Sequence, residues 1–267
     1  MNELTTKPFS IGSILIDSWR LIKGSKKALW SVNGVAIAIS IAIVFLITLI
    51  YEVTHQHPEI TAVQSPLTLM LFQLSVVFLT IFLTAPFVTG SFMTAIKHCR
   101  GEPITTKDPF NYRAFWIPSA LVLLTIILLS FVITFCFYNI NMLLVNRFQS
   151  EALFLIILMV ENIVSGVVYS LLFFAIPLLV DDQLKAGAAL RASFQLVKPH
   201  LIKVFILFAI SFLLLILASI PFVTLHTNGG FTPLSVTGIL ITIGLYIWIL
   251  PYVVLILAKT YTTLRGH

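Results

Sequence analysis

The chain has 267 residues, of which 59% are hydrophobic and only 10% are charged, and its mean hydropathy is +1.05. A soluble domain carries about 25% charged residues and a disordered chain has low hydrophobicity, so the composition excludes both classes. The net charge of +6 is typical of nucleic-acid binding too, but membrane insertion and contact with anionic lipid headgroups explain it better in so apolar a chain. We predict an all-α, polytopic membrane protein with one integral domain, 1–267, and no nucleic-acid partner.

Residues 1–27 are predicted to contain an amphipathic helix that lies in the membrane interface. In the segment Ile11–Lys23, polar residues recur at helical spacing on one face and apolar residues occupy most of the other. Trp19 flanks the two faces, and an indole ring suits the headgroup layer. The candidate contact residues for lipid or a partner here are Trp19, Arg20, Lys23, Lys26 and Lys27.

Six apolar runs follow, and each has the roughly 20 residues that a helix needs to cross a bilayer. The runs are much longer than core strands and lack the alternation of barrel strands, so we predict six transmembrane helices. They cover residues 28–51, 68–96, 115–138, 152–180, 201–225 and 235–258.

The even-numbered spans each contain a proline toward the same end: Pro86, Pro177 and Pro251. A proline removes one helical hydrogen bond and crowds the carbonyl four residues earlier, so bends are expected there. The second and fourth spans are longer than the hydrocarbon layer requires, which predicts tilting, kinking or projection beyond it.

A second interfacial helix is predicted at about 183–198, before the fifth span. The segment AGAALRASFQLVK aligns with IGSILIDSWRLIK without gaps, and internal duplication explains this alignment better than convergence of two interfacial helices. Asp181 and Asp182 are interpreted as residues that cap the N-terminus of this helix rather than as catalytic groups. The alignment pairs Gly12 with Gly187, Trp19 with Phe194, and Lys23 with Lys198, which adds Phe194 and Lys198 to the candidate contact residues.

The distribution of basic residues predicts the orientation. All of the 16 lysines and arginines except Arg147 fall on one side of the six spans. Because cytoplasmic loops of membrane proteins carry the excess of lysine and arginine, we predict that both termini are cytoplasmic. The expected location is the bacterial inner membrane.

Four polar residues in the apolar runs form a candidate intramembrane site: Asn33, Gln73, Glu161 and Asn162. A carboxylate in a span is costly unless it faces a cavity, has a partner or lies at the interface. Glu161 therefore has two interpretations, a titrating group for proton coupling or an interfacial carboxylate that pairs with Arg147. Asn33, Gln73 and Ser91 are expected to make helix–helix hydrogen bonds rather than to bind substrate.

No catalytic motif is visible in the sequence, and no cofactor is predicted. The chain lacks a phosphate-binding glycine loop, a nucleophile elbow and a zinc-protease motif. The segment His55–Glu59 offers a His-x-His-x-Glu pattern, but a metal site needs four coordinating groups in an enforced geometry. Only His226, in another loop, offers a further imidazole, so a solvated polar loop is expected and no metal is predicted.

Two segments resemble a known family. The opening FSIGSILIDSWRLIK and the later IPLLVDDQLKAGAALRASFQLVKPH are similar to a group of bacterial inner-membrane proteins. This group includes the membrane domain of some glycerophosphoryl diester phosphodiesterases and stand-alone proteins of unassigned role. The resemblance implies a six-helix inner-membrane protein, and it implies no phosphodiesterase activity because no soluble catalytic region is present in the sequence. The positions that carry the later match are Pro177, Asp181, Asp182, Ala189, Leu190, Ser193 and Phe194.

The leading functional hypothesis is a non-enzymatic membrane protein that organises lipids or partner proteins at the cytoplasmic face. Its expected partners are anionic headgroups, with a protein partner or a second copy of the chain as further options. The alternative is a small transporter for a hydrophobic or amphiphilic solute, which is expected to have a central cavity lined by Asn33, Gln73 and Glu161.

Overall fold

The structure is a computed structural model that describes residues 9–55, 66–148, 150–226 and 233–266. Over these ranges the chain is helical and contains no strand, which confirms the all-α prediction. The same ranges contain six helices that are long and apolar enough to cross a membrane.

The helices follow one another with short connections. Two 3₁₀ helices, Asp108–Phe115 and Lys198–His200, precede α3 and α7 respectively. The α-helices are α1 Ile11–His55, α2 Pro66–Cys99, α3 Trp116–Phe148, α4 Glu151–Leu172, α5 Ala175–Asp181, α6 Ala186–Val197, α7 Leu201–His226 and α8 Pro233–Leu264.

The first helix differs from the prediction because it is not divided near residue 27. Helix α1 is continuous over 45 residues, so the expected interfacial helix and the first span form one element. No proline occurs between residues 9 and 57, so every residue of this stretch has an N–H for the helical backbone hydrogen bonds. The N-terminal part also packs on the bundle, where Ile14 is buried against Leu207 and Ile256.

The predicted fourth span is broken just before Pro177, whereas Pro86 and Pro251 lie inside continuous helices. Helix α4 ends at Leu172, and α5 begins at Ala175, two residues before Pro177. The proline ring crowds the carbonyl of Phe173, four residues earlier, and has no N–H to donate to it. That carbonyl instead accepts the Ile176 N–H at 3.4 Å.

A cluster of five aromatic rings occupies the centre of the core. Phe173 contacts Phe92 and Phe208 at centroid distances of 5.4 and 5.2 Å, and Phe174 contacts Tyr261 at 5.9 Å. Phe174 and Tyr261 are fully buried. We call these five residues, which come from α2, α7, α8 and the α4–α5 junction, the aromatic cluster. Rings of this size bury much apolar area and fix the relative positions of the helices that carry them.

Candidate functional site

The last turns of α2, α5 and α8 meet at one end of the molecule, together with α6. We call this the basic end. The N-terminal part of α1 reaches it, because the His98 ring hydrogen-bonds to the Leu21 carbonyl at 2.9 Å. Lys203 at the start of α7 donates to the Phe9 carbonyl at 2.9 Å. Segments far apart in sequence therefore share one surface.

A cavity of about 680 Å³ opens at the basic end. It lies where α2, α5 and α8 end, so charged residues that follow the apolar spans converge on it. We call it the charged cavity, and it is lined by Cys99, Arg100, Asp181, Asp182, Lys259 and Arg265.

Arg100 and Asp181 form the more buried of the two ion pairs in this cavity. The guanidinium is bidentate, with Nη2 to Oδ2 at 2.6 Å and Nη1 to Oδ1 at 3.3 Å. The Tyr261 hydroxyl donates to the same Oδ2 at 2.9 Å. The hydrogen bond to Asp181 raises the pKa of Arg100 above its ordinary value, because a carboxylate stabilises the charged guanidinium.

Asp182 pairs with Arg265, whose Nη2 lies 2.6 Å from Oδ1. The interpretation of Asp181 and Asp182 as N-terminal caps is therefore wrong. Asp181 ends α5 and Asp182 follows it, whereas the next helix starts at Ala186 with Lys185 at its N-cap position. The two carboxylates hold arginines from α2 and α8 instead.

The charged cavity contains more positive than negative groups. Two aspartates face Arg100, Arg265 and Lys259. Within the described ranges no carboxylate lies at ion-pair distance from the Lys259 ammonium. The Nε of Arg100 is also buried without a hydrogen-bond acceptor. Both arginines are thus held in place while one lysine stays available.

The aromatic cluster lies next to the residues that line this cavity. Tyr261 connects the two, because its hydroxyl contacts Asp181 of the cavity and its ring contacts Phe174 of the cluster. Phe92 lies on α2, two turns before the C-terminal end of that helix, and it is also buried. The ion pair at the basic end is therefore joined directly to the packed core.

A second feature lies between α1 and α8. An apolar groove of about 250 Å³ is present there, and the Lys26 ammonium lies 4.4 Å from the Trp248 ring centroid and 6.0 Å from that of Trp30. Such distances are those of cation–π contacts. We call this the tryptophan groove, and it is lined by Trp30, Asn33, Gly34, Ile37, Tyr246, Ile247 and Pro251.

The Trp30 indole has a specific structural partner. Its Nε1 donates to the Ile247 carbonyl at 2.7 Å. Ile247 lies four residues before Pro251, which has no N–H to donate to that carbonyl. The same arrangement recurs on α2, where the Trp116 indole donates to the Phe82 carbonyl at 2.5 Å, four residues before Pro86. Two tryptophans thus satisfy backbone carbonyls that prolines leave free.

This pairing makes the effect of a tryptophan substitution depend on the proline. Trp30→Phe is expected to lower the free energy of unfolding by about 1–3 kcal/mol, because a carbonyl in an apolar environment loses its donor. In a Pro251→Ala background the backbone N–H returns, and the same substitution should cost less. Thermal unfolding of the four variants in detergent measures the difference, and equal costs in both backgrounds would show that the indole bond is not coupled to the proline.

The sequence-predicted contact residues lie mostly on the surface. Trp19 is 66% exposed and makes an edge contact with the Tyr252 ring at 5.4 Å. Phe194 is 42% exposed, and the Lys198 ammonium lies 5.9 Å from its ring. Among the described residues, Lys26 alone of the predicted cations contacts the Trp30 and Trp248 rings. The remaining predicted cations, all exposed, are Arg20, Lys23 and Lys27.

The candidate intramembrane polar residues do not form one site. Asn33 is buried and accepts a hydrogen bond from Ser91 at 2.9 Å, which is the helix–helix contact expected for these two residues. Glu161 lies on α4, and of the ion pairs among the described residues none joins it to Arg147. Asn162 donates to the Leu158 carbonyl of its own helix at 2.8 Å. The side chain of Gln73 lies outside the described residues.

Among the described residues, no group of three histidine, cysteine or acidic side chains is close enough to hold a metal ion. Of the His-x-His-x-Glu pattern, His57 and Glu59 lie outside the described residues.

Sequence reasoning missed the network of Arg100, Asp181 and Tyr261. These residues belong to three spans, and no short motif connects them. One signal was available in the sequence. An acidic pair follows Pro177, and an arginine follows the apolar run of both α2 and α8, so opposite charges are expected at the same end of the spans. Their pairing follows once α2, α5 and α8 are packed together.

Comparisons of the chain with protein-family models, with curated proteins and with solved structures found no match. The geometry of the site is therefore the basis for any functional conclusion.

Proposed function

We propose that this chain is a non-enzymatic multi-pass protein of the bacterial inner membrane that retains anionic phospholipids at its basic end. The observation that carries the proposal is the tryptophan groove, an apolar recess lined by Trp30, whose ring contacts both the Trp248 ring and the Lys26 ammonium. A phospholipid is complementary to this arrangement, because its anionic phosphate lies next to apolar acyl chains. The proposal extends to membership in the family that the sequence resembles.

The position of Lys26 supports contact with a lipid phosphate. Its ammonium rests against Trp248, which is 58% exposed, so the pair faces the surroundings of the bundle. An ammonium has three N–H donors, and a ring contact leaves donors for phosphate oxygens. Tryptophan and lysine are typical of the membrane–water interface, where one end of the side chain is apolar and the other is solvated.

Trp19, Phe194 and Lys198 extend this surface. The exposed rings suit the headgroup layer, and the exposed lysines around them attract anionic lipid.

Trp19 and Phe194 occupy matching positions in the two aligned segments, which supports a proposed duplication of the α1–α2 and α6–α8 units. Gly101 and Gly266 also support the proposed duplication, since each follows an arginine at the end of a helix and each has a φ of +78°.

This surface also supports the proposed orientation with both termini in the cytoplasm. Cations that contact anionic headgroups are characteristic of the cytoplasmic leaflet, and the basic end carries them. The alternative, a transporter, was expected to have a central cavity lined by polar residues, and it has less support. Asn33 lines the tryptophan groove between α1 and α8, whereas Glu161 lies on α4. The centre of the core is filled by the aromatic cluster.

Lipid retention by the Lys26→Gln variant tests the proposal. The Trp248 ring holds the Lys26 ammonium next to the groove, so the substitution removes a positioned hydrogen-bond donor to phosphate worth about 1 kcal/mol, and retention is expected to fall about fivefold. Native mass spectrometry of protein extracted with its lipids measures the bound fraction. Lys27→Gln is the matched control, because Lys27 is adjacent and exposed but has no aromatic partner among the described residues. Equal lipid retention in wild type and Lys26→Gln would contradict a lipid site in the groove. Equal losses of bound lipid in Lys26→Gln and Lys27→Gln would show that the lysines attract lipid only nonspecifically.

A further inference from the structure

We propose that the charged cavity is a second binding site, separate from the tryptophan groove, and that it takes a phosphate group. Its residues come from the ends of three helices, and its charge is not balanced. The site would bind the phosphate of either a lipid headgroup or a free phosphate-bearing solute, since both present the same oxygens.

The cation that lacks a partner is the first reason. Each aspartate in the cavity holds one arginine, which leaves Lys259 as the excess positive charge. An ammonium that lines a cavity beside two occupied arginines attracts an anion rather than another cation. A ligand with one or two negative charges complements this arrangement.

The rigid placement of the arginines is the second reason. Arg100 is fixed through both terminal nitrogens by Asp181, and Asp181 is fixed in turn by Tyr261. Arg265 uses only Nη2 on Asp182, so further N–H groups of its guanidinium remain for a ligand. Planar guanidinium groups held by carboxylates are preorganised donors for a group with several acceptor oxygens, which is the chemistry of phosphate.

The shape of the cavity is the third reason. A volume of about 680 Å³ holds a phosphate together with the group that carries it. The cavity is open at the basic end, where a ligand can reach its charged residues.

Binding of inorganic phosphate to the full chain, purified in detergent and stripped of phospholipid, is the first arm of the test. The thermal unfolding midpoint is measured against phosphate concentration at constant ionic strength set with chloride. The second arm repeats the measurement after phosphatidylglycerol vesicles are added to the same protein in detergent. Lys259→Gln is expected to weaken binding at least about tenfold, because it removes a charged donor. Lys185→Gln, an exposed lysine close in sequence to the cavity, is the control and should bind as wild type.

Each outcome decides the proposal. Saturable stabilisation by phosphate that Lys259→Gln loses would establish a site for free phosphate groups. Stabilisation by phosphatidylglycerol alone, again lost in Lys259→Gln, would assign the site to a lipid headgroup. No saturable effect of either ligand, or equal effects on both lysine variants, would overturn the site. Lys259→Arg keeps the charge and should restore binding, which separates ligand loss from misfolding of Lys259→Gln.

Discussion

Replacing Gly90 with alanine is expected to destabilise the protein by about 3 kcal/mol or more, the upper range for overpacking a core. Gly90 is buried on α2 where the 3₁₀ helix Asp108–Phe115 crosses it. A Cβ atom at this position would overlap the Pro109 carbonyl oxygen and lie 2.8 Å from the carbonyl carbon. Both obstacles are backbone atoms, so a change of rotamer cannot relieve the clash, and the two helices must separate.

The control for this prediction is Gly34→Ala on α1. A Cβ there meets no atom within 4 Å, and alanine favours a helix over glycine by up to about 1 kcal/mol. Gly34→Ala should therefore be neutral or stabilising. Unfolding midpoints of the two variants in the same detergent provide the comparison. Similar midpoints for Gly90→Ala and wild type would mean that the 3₁₀ helix does not pack on α2 as the structure places it.

Asp181→Asn is expected to lower the free energy of unfolding by about 3 kcal/mol. The substitution keeps the shape of the side chain but removes the charge that holds Arg100 and accepts from Tyr261. Removal of one partner of a buried ion pair costs about 3–5 kcal/mol, because the other charge loses its compensation. The Asp181 side chain is 13% exposed and that of Arg100 23%, which places this pair toward the lower end of the range.

Asp182→Asn is the matched control. Its ion pair with Arg265 has the same 2.6 Å distance, but both side chains are 32% exposed. Pairs of more exposed charges contribute about 0–1 kcal/mol, so this variant should lose much less stability. Chemical unfolding of both variants measures the two costs. Equal costs would show that burial does not govern the strength of these pairs.

The sequence predicts the six spans well because long apolar runs have few alternative structures in a bilayer. It does not predict the continuity of α1. The amphipathic pattern of the side chains changes near residue 27, but such a change is not a break in the backbone. The helix continues through Gly24 and Ser25.

The candidate site is only partly predictable for a related reason. The excess of cations at one end follows from counting lysines and arginines along the chain. The pairing of Arg100 with Asp181 does not, because it depends on the packing of α2 against α5. The misassignment of the two aspartates has a local cause as well. The break before Pro177 makes α5 a separate helix of seven residues, so Asp181 is its last residue and Asp182 follows it.

The two indole–carbonyl bonds also imply an order of assembly. The Trp116–Phe82 bond joins consecutive spans, so it can form as soon as α3 enters the membrane behind α2. The Trp30–Ile247 bond joins the first span to the last, and it cannot form until α8 is inserted. During synthesis, the Trp30 indole can therefore gain this carbonyl partner only after nearly the whole chain has been made.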